Sequence, residues 1–406
     1  MNRRKKIHPY TWFVLWLLIP IGSGLSTPAA PAHELSGYLA AEGRLFFKEP
    51  LYPGQKRDNG SLVIRPEYYH EWQSGSSVTC IPFLRLDSAD SERTHFDIRE
   101  LNYLWLTDRW ELRIGINTVF WGVTEFYHLV DIINQTDLVE NPDTEDKLGQ
   151  PMVQLSMTRN WGTWDLFFMP LFRERNFPGL QGRLRTPAPV DGANARFESA
   201  RGKRHPDWAV RYSHSMGPVE LGLAHFAGTG REPLLLGLLG PAVGAAQLTP
   251  FYEQIDQTSI DLAAVTGGWL WKLEALSRRG QLGRFKAFTA GFEYTLVGLG
   301  STAMDLGLIA EYQYDERGNP LATFQNDLAL GGRLAFNDTQ GTQLLLLGSL
   351  DRDGGGSVLS LEASRRVGNN LLFSLESRWF QADQPQDPLF FFRQDDYLQI
   401  QVTQFF

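Results

Sequence analysis

Seven carboxylates, Glu125, Asp131, Asp137, Glu140, Asp143, Glu145 and Asp146, fall between Phe120 and Met152, where Lys147 is the one Lys or Arg. The stretch also carries Trp121, Phe126 and Tyr127 and shows no period-2 alternation. Acids at this density cannot be buried in a compact core without partners. A water-filled lumen can hold them, and fixed carboxylates there would act on any charged solute that passes. A second set complements the first: Arg44, Arg65, Arg85, Arg99 and Arg113 come from successive N-terminal segments. On one inner wall they would form a basic ladder facing the acids. Each Arg could equally pair with a neighbour, Glu42, Glu67, Asp87, Asp97 or Glu111, and stiffen the wall. The candidate constriction residues are therefore Trp121, Glu125, Asp131, Asn134 and Asp137, and the candidate wall residues Arg44, Arg65, Arg85, Arg99, Glu111 and Arg113.

Other chemistry is sparse. Cys80 is the single cysteine, so no internal disulfide and no Cys-based metal cluster can form. The eight histidines show no H-x-x-x-H or H-E-x-x-H spacing, and no G-x-S-x-G elbow occurs. No catalytic residue, cofactor site or metal site is assigned. A lipid-modifying enzyme assembled from Ser, His and Asp on different strands stays open through His205, His214 and His225. Asp137 to Asp146 could offer Ca²⁺ hard oxygens, but the spacing fits no standard loop.

The elements that would position these groups are short strands. Trp110 to Asn117 alternates Trp110, Leu112, Ile114 and Ile116 with Glu111, Arg113 and Asn117. The dyad recurs at Met304 to Tyr314 and Leu371 to Trp379, and less cleanly at Trp271 to Arg278, Asp327 to Phe336 and Leu359 to Arg366. Polar faces with charges of both signs suit a hydrated lumen, whereas a soluble sandwich would turn its apolar faces to a second sheet. Short connections near 107–109, 160–162, 216–218, 267–268, 338–340 and 368–370 alternate with long ones near 48–60, 120–150, 171–206, 228–257, 314–323 and 381–393. That is the asymmetry of an outer-membrane barrel, with short periplasmic turns and long extracellular loops. The count is about eighteen strands. Sixteen is possible because the segments near 35–47, 62–72 and 78–87 alternate poorly and contain Pro66 and Pro82.

The first residues read as an export signal. Arg3, Arg4, Lys5 and Lys6 precede an apolar core from Trp12 to Ile21, and Ala30-Pro31-Ala32 offers a cleavage site, so 1–32 would be removed and 33–406 form the barrel. The apolar core is shorter than the ~20 residues that cross a bilayer. Removing four positive charges and no acid moves the net charge from -8 to -12, a balance that disfavours nucleic acid. Two loops differ in kind. One, 171–206, is basic, with Arg173, Arg175, Arg183, Arg185, Arg196, Arg201, Lys203 and Arg204, and would meet lipopolysaccharide phosphates outside. The other, 228–257, contains the apolar run Leu234 to Leu239 and would plug or cap the mouth.

Two resemblances follow. A C-terminal alternating strand ending in Phe406 resembles the signal read by outer-membrane insertion machinery, with Gln404 departing from it. Trp121-Gly122, then Asp131-x-Ile133-Asn134-x-x-Asp137-Leu138, then Pro151-Met152-Val153 resemble a porin-like family of largely uncharacterised bacterial outer-membrane barrels, with Gln135 where that family has Pro. More distantly the chain is similar to eighteen-stranded diffusion and export channels. The resemblance implies a monomeric outer-membrane channel of a Gram-negative bacterium, passing a polar or charged solute passively or guiding a polymer, with 120–150 folded inward. A plugged binding or assembly barrel is the remaining alternative.

Overall fold

The computed structural model describes residues 32–237, 247–318 and 321–406. The expected signal, 1–32, lies outside these apart from Ala32. Eighteen strands make one sheet: β1 (Ala32–Phe46), β2 (Asn59–Glu71), β3 (Ser77–Asp87), β4 (His95–Leu106), β5 (Glu111–Asn117), β6 (Gln150–Arg159), β7 (Gly162–Met169), β8 (Asp207–Met216), β9 (Val219–Thr229), β10 (Gln254–Thr266), β11 (Trp269–Gly280), β12 (Gly283–Leu296), β13 (Asp305–Asp315), β14 (Asn326–Ala335), β15 (Gln343–Asp351), β16 (Ser357–Val367), β17 (Leu371–Gln381) and β18 (Tyr397–Phe405). Every strand is antiparallel to its neighbours in the chain, and β18 returns to β1 from Tyr38↔Phe405 to Phe46↔Tyr397. The sheet closes, so no edge is left to bind another chain. No helix among the described residues is long and apolar enough to cross a membrane.

Period-2 alternation sets the two faces. Ile114, Leu308 and Phe373 are exposed outside the barrel, while Asn117, Glu311, Gln313 and Arg378 are buried inside. Connections 47–58, 88–94, 118–149, 170–206, 382–396 and the described parts of two more, 230–237 with 247–253 and 316–318 with 321–325, gather at one end. Those at 72–76, 107–110, 160–161, 217–218, 267–268 and 368–370 gather at the other, where the barrel sheet also begins and ends. The asymmetry is incomplete: 352–356 is short at the long-loop end, and 297–304 and 336–342 are longer at the short-turn end. The β11–β12 connection, 281–282, is a tight turn at the long-loop end, so the rim dips there.

The poor alternation of the early strands has a local cause. Between Ile81 and Pro82 the β3–β4 register shifts, so that Ile81 faces Glu100, Pro82 faces Ile98, and Arg99 is the extra residue. Proline brings no N–H to the ladder, and a bulge accommodates it. Arg99 and Glu100 consequently both line the lumen.

The long loops are folded structures. Leu234–Leu236, Thr249–Tyr252 and Arg196–Phe197 form a small three-stranded sheet, with Tyr252 packed between Phe172 and Phe197. The expected apolar run therefore pairs as a strand over the mouth, with Leu235 lining the cavity below; Leu238 and Leu239 lie outside the described residues. The basic loop is only partly the exposed surface expected. Arg183 is buried on Asp395 at 2.6 Å and Arg185 donates to backbone carbonyls, whereas Arg196, Arg201 and Arg204 remain exposed.

Candidate functional site

The segment 118–149 leaves β5, crosses the interior and returns to β6. It goes inward because one side of the wall carries an apolar patch on its inner face. Met152, Phe167, Met169, Ala209, Ala224, Phe226 and Ile255, from β6 to β10, pack against Trp121, Val130, Ile132 and Ile133 of the segment in one buried cluster. Trp121 meets Phe167 edge-on at 5.7 Å and lies under the Arg211 guanidinium at 5.2 Å. Each such side chain removed from water contributes about 1.5–3 kcal/mol. Half of the bore is therefore a dry core. The neck is held by Asn134, whose Oδ1 accepts from Val119 N at 2.8 Å and whose Nδ2 donates to the carbonyls of Asn117 and Leu148, both at 2.8 Å.

The outgoing limb is fixed by carboxylates of the far wall. Glu274 on β11 accepts from Val123 N at 2.6 Å, Thr124 N at 2.9 Å, Thr124 Oγ1 at 2.7 Å and Val130 N at 3.1 Å. Glu311 on β13 accepts from Glu125 N at 2.7 Å and Phe126 N at 3.0 Å. Gly122 permits this approach. Its φ is +142°, and a Cβ there would stand 2.9 Å from Glu274 Oε1. Glu125 itself pairs with Arg333 on β14 at 2.5 Å and Lys272 on β11 at 3.5 Å. Burial pushes the Glu125 carboxyl up, but these two cations outweigh it and hold it below the ordinary range.

The returning limb is fixed by arginines of the N-terminal wall. Arg99 reaches Asp137 at 2.5 Å, and Arg85 reaches Glu140 at 2.5 Å and Glu42 at 3.0 Å. Arg93 adds Glu42 at 2.8 Å and the Val139 carbonyl at 2.7 Å. Arg44 donates to the Glu140 carbonyl at 3.2 Å and to Gln399. Burial raises the Asp137 carboxyl, yet Arg99, His95 and Asn176 together hold it below the ordinary range. Farther round, Asp143 meets Arg378 at 2.8 Å and Asn141 donates to Glu376 at 3.0 Å.

What remains open is a cavity of about 1160 Å³ on the side of β14–β18, β1 and β2. Its lining runs from Gln343, Ser364 and Gln401 toward the short-turn end up to Phe324, Phe391 and Arg317 toward the loops. At mid-height the segment presents Glu145 and Asp146, both exposed to the bore, opposite Glu362. Burial within the lumen, with the carboxylates of Glu140 and Asp143, pushes Asp146 up to about 7, and burial with Asp143 and Glu362 raises Glu145 as well.

The sequence-predicted residues divide accordingly. Trp121, Glu125, Asn134 and Asp137 are interior anchors, and Arg44, Arg85 and Arg99 bind the segment to the wall. Asp131 does not face the wall arginines: it pairs with Lys147 of its own segment at 2.9 Å and accepts from Trp121 N at 3.3 Å. Arg65 lines the cavity 5.9 Å from the Tyr38 ring, without an acid partner among the described residues. Glu111 and Arg113 lie at the short-turn end of β5, away from the cavity lining, and make no ion pair among the described residues. Sequence reasoning missed Arg93, Glu274, Glu376 and Arg378 as anchors. A lone Glu on a strand's inner face, as at 274, 311 and 376, was the available signal.

His95 Nε2, Asp137 and Glu140 bring ligand-type atoms within 4.8 Å of one another, but Arg99 and Arg85 already hold those carboxylates. A cation could enter only if the arginines let go. Of the other histidines, His225 comes nearest to a hydrolytic arrangement, with Thr258 Oγ1 at 2.9 Å and Asp256 at 3.4 Å on the outer face.

Compared with known proteins, the chain matches no protein-family model and no curated protein. Among solved structures it is similar to a BenF-like porin from Pseudomonas fluorescens Pf-5, with a TM-score of 0.54 and 10% identity over 93% of this chain and 98% of that one. It is also similar to a mutant of the Rh. blastica porin, with a TM-score of 0.46 and 12% identity over 92% of this chain and all of the other. The first likeness shows a porin-type barrel fold.

Proposed function

We propose that the protein is an outer-membrane diffusion channel that passes small polar solutes and favours cations. One observation carries this reading. A single cavity lined by residues from both ends of the barrel passes between an anchored inward segment and a polar wall. Charges on that path are of two kinds. Those that anchor the segment are neutralised in pairs, whereas Glu67, Glu145 and Asp146 have no cationic partner among the described residues and Glu362 has Arg378 only at 3.7 Å. Arg65 opposes them at the level of β2, and Arg175 and Arg185 toward the loops also line the cavity without an ion pair among the described residues. Unpaired carboxylates in a narrow aqueous passage raise the local concentration of cations and exclude anions. The outward apolar faces and the Trp and Tyr residues at 105, 110, 269, 271 and 294 suit a membrane with an interfacial aromatic belt. Trp121, Gly122, Asn134 and Asp137, whose pattern resembles a porin-like family, are among the residues that hold the segment inside.

The test is planar-bilayer recording from purified protein under a salt gradient. Stepwise conductance with a cation-selective reversal potential is expected, and Glu145→Gln with Asp146→Asn moves that potential toward anions. A protein that inserts and never conducts would overturn the channel reading in favour of a plugged barrel.

A further inference from the structure

We infer that the outer face of β10–β12, at the long-loop end, is a binding site for the phosphate groups of a phosphorylated outer-leaflet lipid. The alternation of these strands puts Asp256 and Thr258 of β10, Ser277 and Arg279 of β11, and Arg284 and Lys286 of β12 on the outside, while Gln257, Arg278 and Ala287 are buried inside. Arg279 stands directly opposite Arg284, and Lys286 lies two residues farther along β12, opposite Ser277. Side chains directly opposite are about 5 Å apart at Cβ and diagonal ones about 7–8 Å, so three cations share one small area, and like charges placed so repel. Equivalent outward positions near the same rim are apolar elsewhere: Leu45, Leu86, Phe96, Phe168 and Leu350.

Acids nearby neutralise the group only in part: Asp256, directly opposite Arg279, pairs with Arg284 at 2.9 Å and lies 3.4 Å from His225. The Glu316 carboxylate accepts from the backbone N–H of Lys286. Arg279 and the Lys286 ammonium make no hydrogen bond or ion pair among the described residues. An anion between them would relieve the repulsion, and a phosphate offers the oxygens that two guanidinium groups and an ammonium can share. Its source follows from the surroundings. The outward rings of Phe288, Tyr312 and Tyr314 adjoin the cations on the membrane side, Phe288 lying 5.9 and 5.8 Å from the two tyrosines. The tight 281–282 turn raises no loop over the patch. A headgroup whose acyl chains run down the barrel wall meets both features, which a free anion does not. The inference rests on the outer-membrane reading above but not on conduction.

The experiment measures binding of bis-phosphorylated lipid A to the detergent-solubilised protein by native mass spectrometry. Its arms are the same lipid with both phosphates removed, inorganic phosphate as competitor, and the variant Arg279→Gln with Lys286→Gln. With each basic residue worth about fivefold at a lipid surface, the variant is expected to bind at least about tenfold more weakly. The dephosphorylated lipid should lose as much, and millimolar inorganic phosphate should fail to compete. Equal binding by the variant, or indifference to the lipid phosphates, overturns the site; full competition by inorganic phosphate overturns the lipid as its ligand. Folding of the variant is checked by an unchanged β-type circular dichroism spectrum. Bilayer conductance of the same preparations separates the two readings: a wild type that binds the lipid without conducting sinks the channel and leaves this site standing.

Discussion

The two halves of the bore are built by opposite rules. Against β6–β10 the inward segment is packed dry, and Trp121, Val130, Ile132 and Ile133 meet an apolar patch on the inner face of that wall. Against β14–β18, β1 and β2 the same segment turns unpaired Glu145 and Asp146 to a water-filled passage. Charge that anchors the segment is paired, as in Arg85 with Glu42 and Glu140 or Glu125 with Arg333, and the carboxylates of Glu145 and Asp146 are left without a cation among the described residues. Neutralised charge fixes the segment, and surplus charge is free to act on a solute.

The largest effect is expected where a buried partner is removed. Glu140→Ala leaves the Arg85 guanidinium with Glu42 alone, and breaking a buried pair costs about 3–5 kcal/mol. Amide hydrogen exchange of residues 137–148 should speed up strongly, and single-channel conductance should rise and become noisy. Protection and conductance like the wild type would mean that the apolar packing holds the segment unaided. Glu274→Gln should act less, since its amide oxygen keeps an acceptor for the outgoing limb and the anchors on Glu311 and Arg333 remain. Trading a charged acceptor for a neutral one weakens the hydrogen bonds of Val123, Thr124 and Val130 by about 1–2 kcal/mol. Exchange should rise at 123–130 and stay unchanged at 137–148.

Titration separates the halves with the smallest perturbation. Glu125 and Asp137 have folded pKa values below their unfolded ones, so the stability they contribute is fully present above the unfolded values and is lost only as pH falls through the folded ones. The segment stays docked at pH 5. Asp146 is shifted the other way, its midpoint pushed up to about 7 by burial and the neighbouring carboxylates. It is neutral below that midpoint and charged above it. Cation preference should therefore grow from pH 4.5 to pH 8, and Asp146→Asn should flatten the rise. A flat profile in the wild type would remove Asp146 from the conduction path.

The same division governs how much could be read from the sequence. β5, β13 and β17 alternate cleanly because their inner faces carry Arg113, Glu311 or Arg378, and both the barrel and its eighteen strands follow from such segments with the spacing of the turns. β7, Gly162–Met169, gives a blurred signal because Phe167 and Met169 point inward to the dry core while Trp164, Leu166 and Phe168 point outward. The blur marks the wall that the inward segment covers. Composition was enough to place the segment inside the barrel, but individual partners were not legible. Asp137 with Arg99 depends on the bulge at Pro82, and Asp131 turned to Lys147 within its own segment, which no register could show. Glu111 and Arg113 share the right face of β5 but lie too near the short-turn end to reach the passage.

The most direct test of the divided bore is modification of single cysteines by a water-soluble cationic thiol reagent during bilayer recording, with the native Cys80 replaced by Ser. One variant carries Glu362→Cys in the passage and the other Ala224→Cys on the inner face of β9. Rapid loss of cation current at 362 with no response at 224 is the predicted result. Equal reaction at both positions, or reaction at 224 alone, would contradict a dry half and a conducting half.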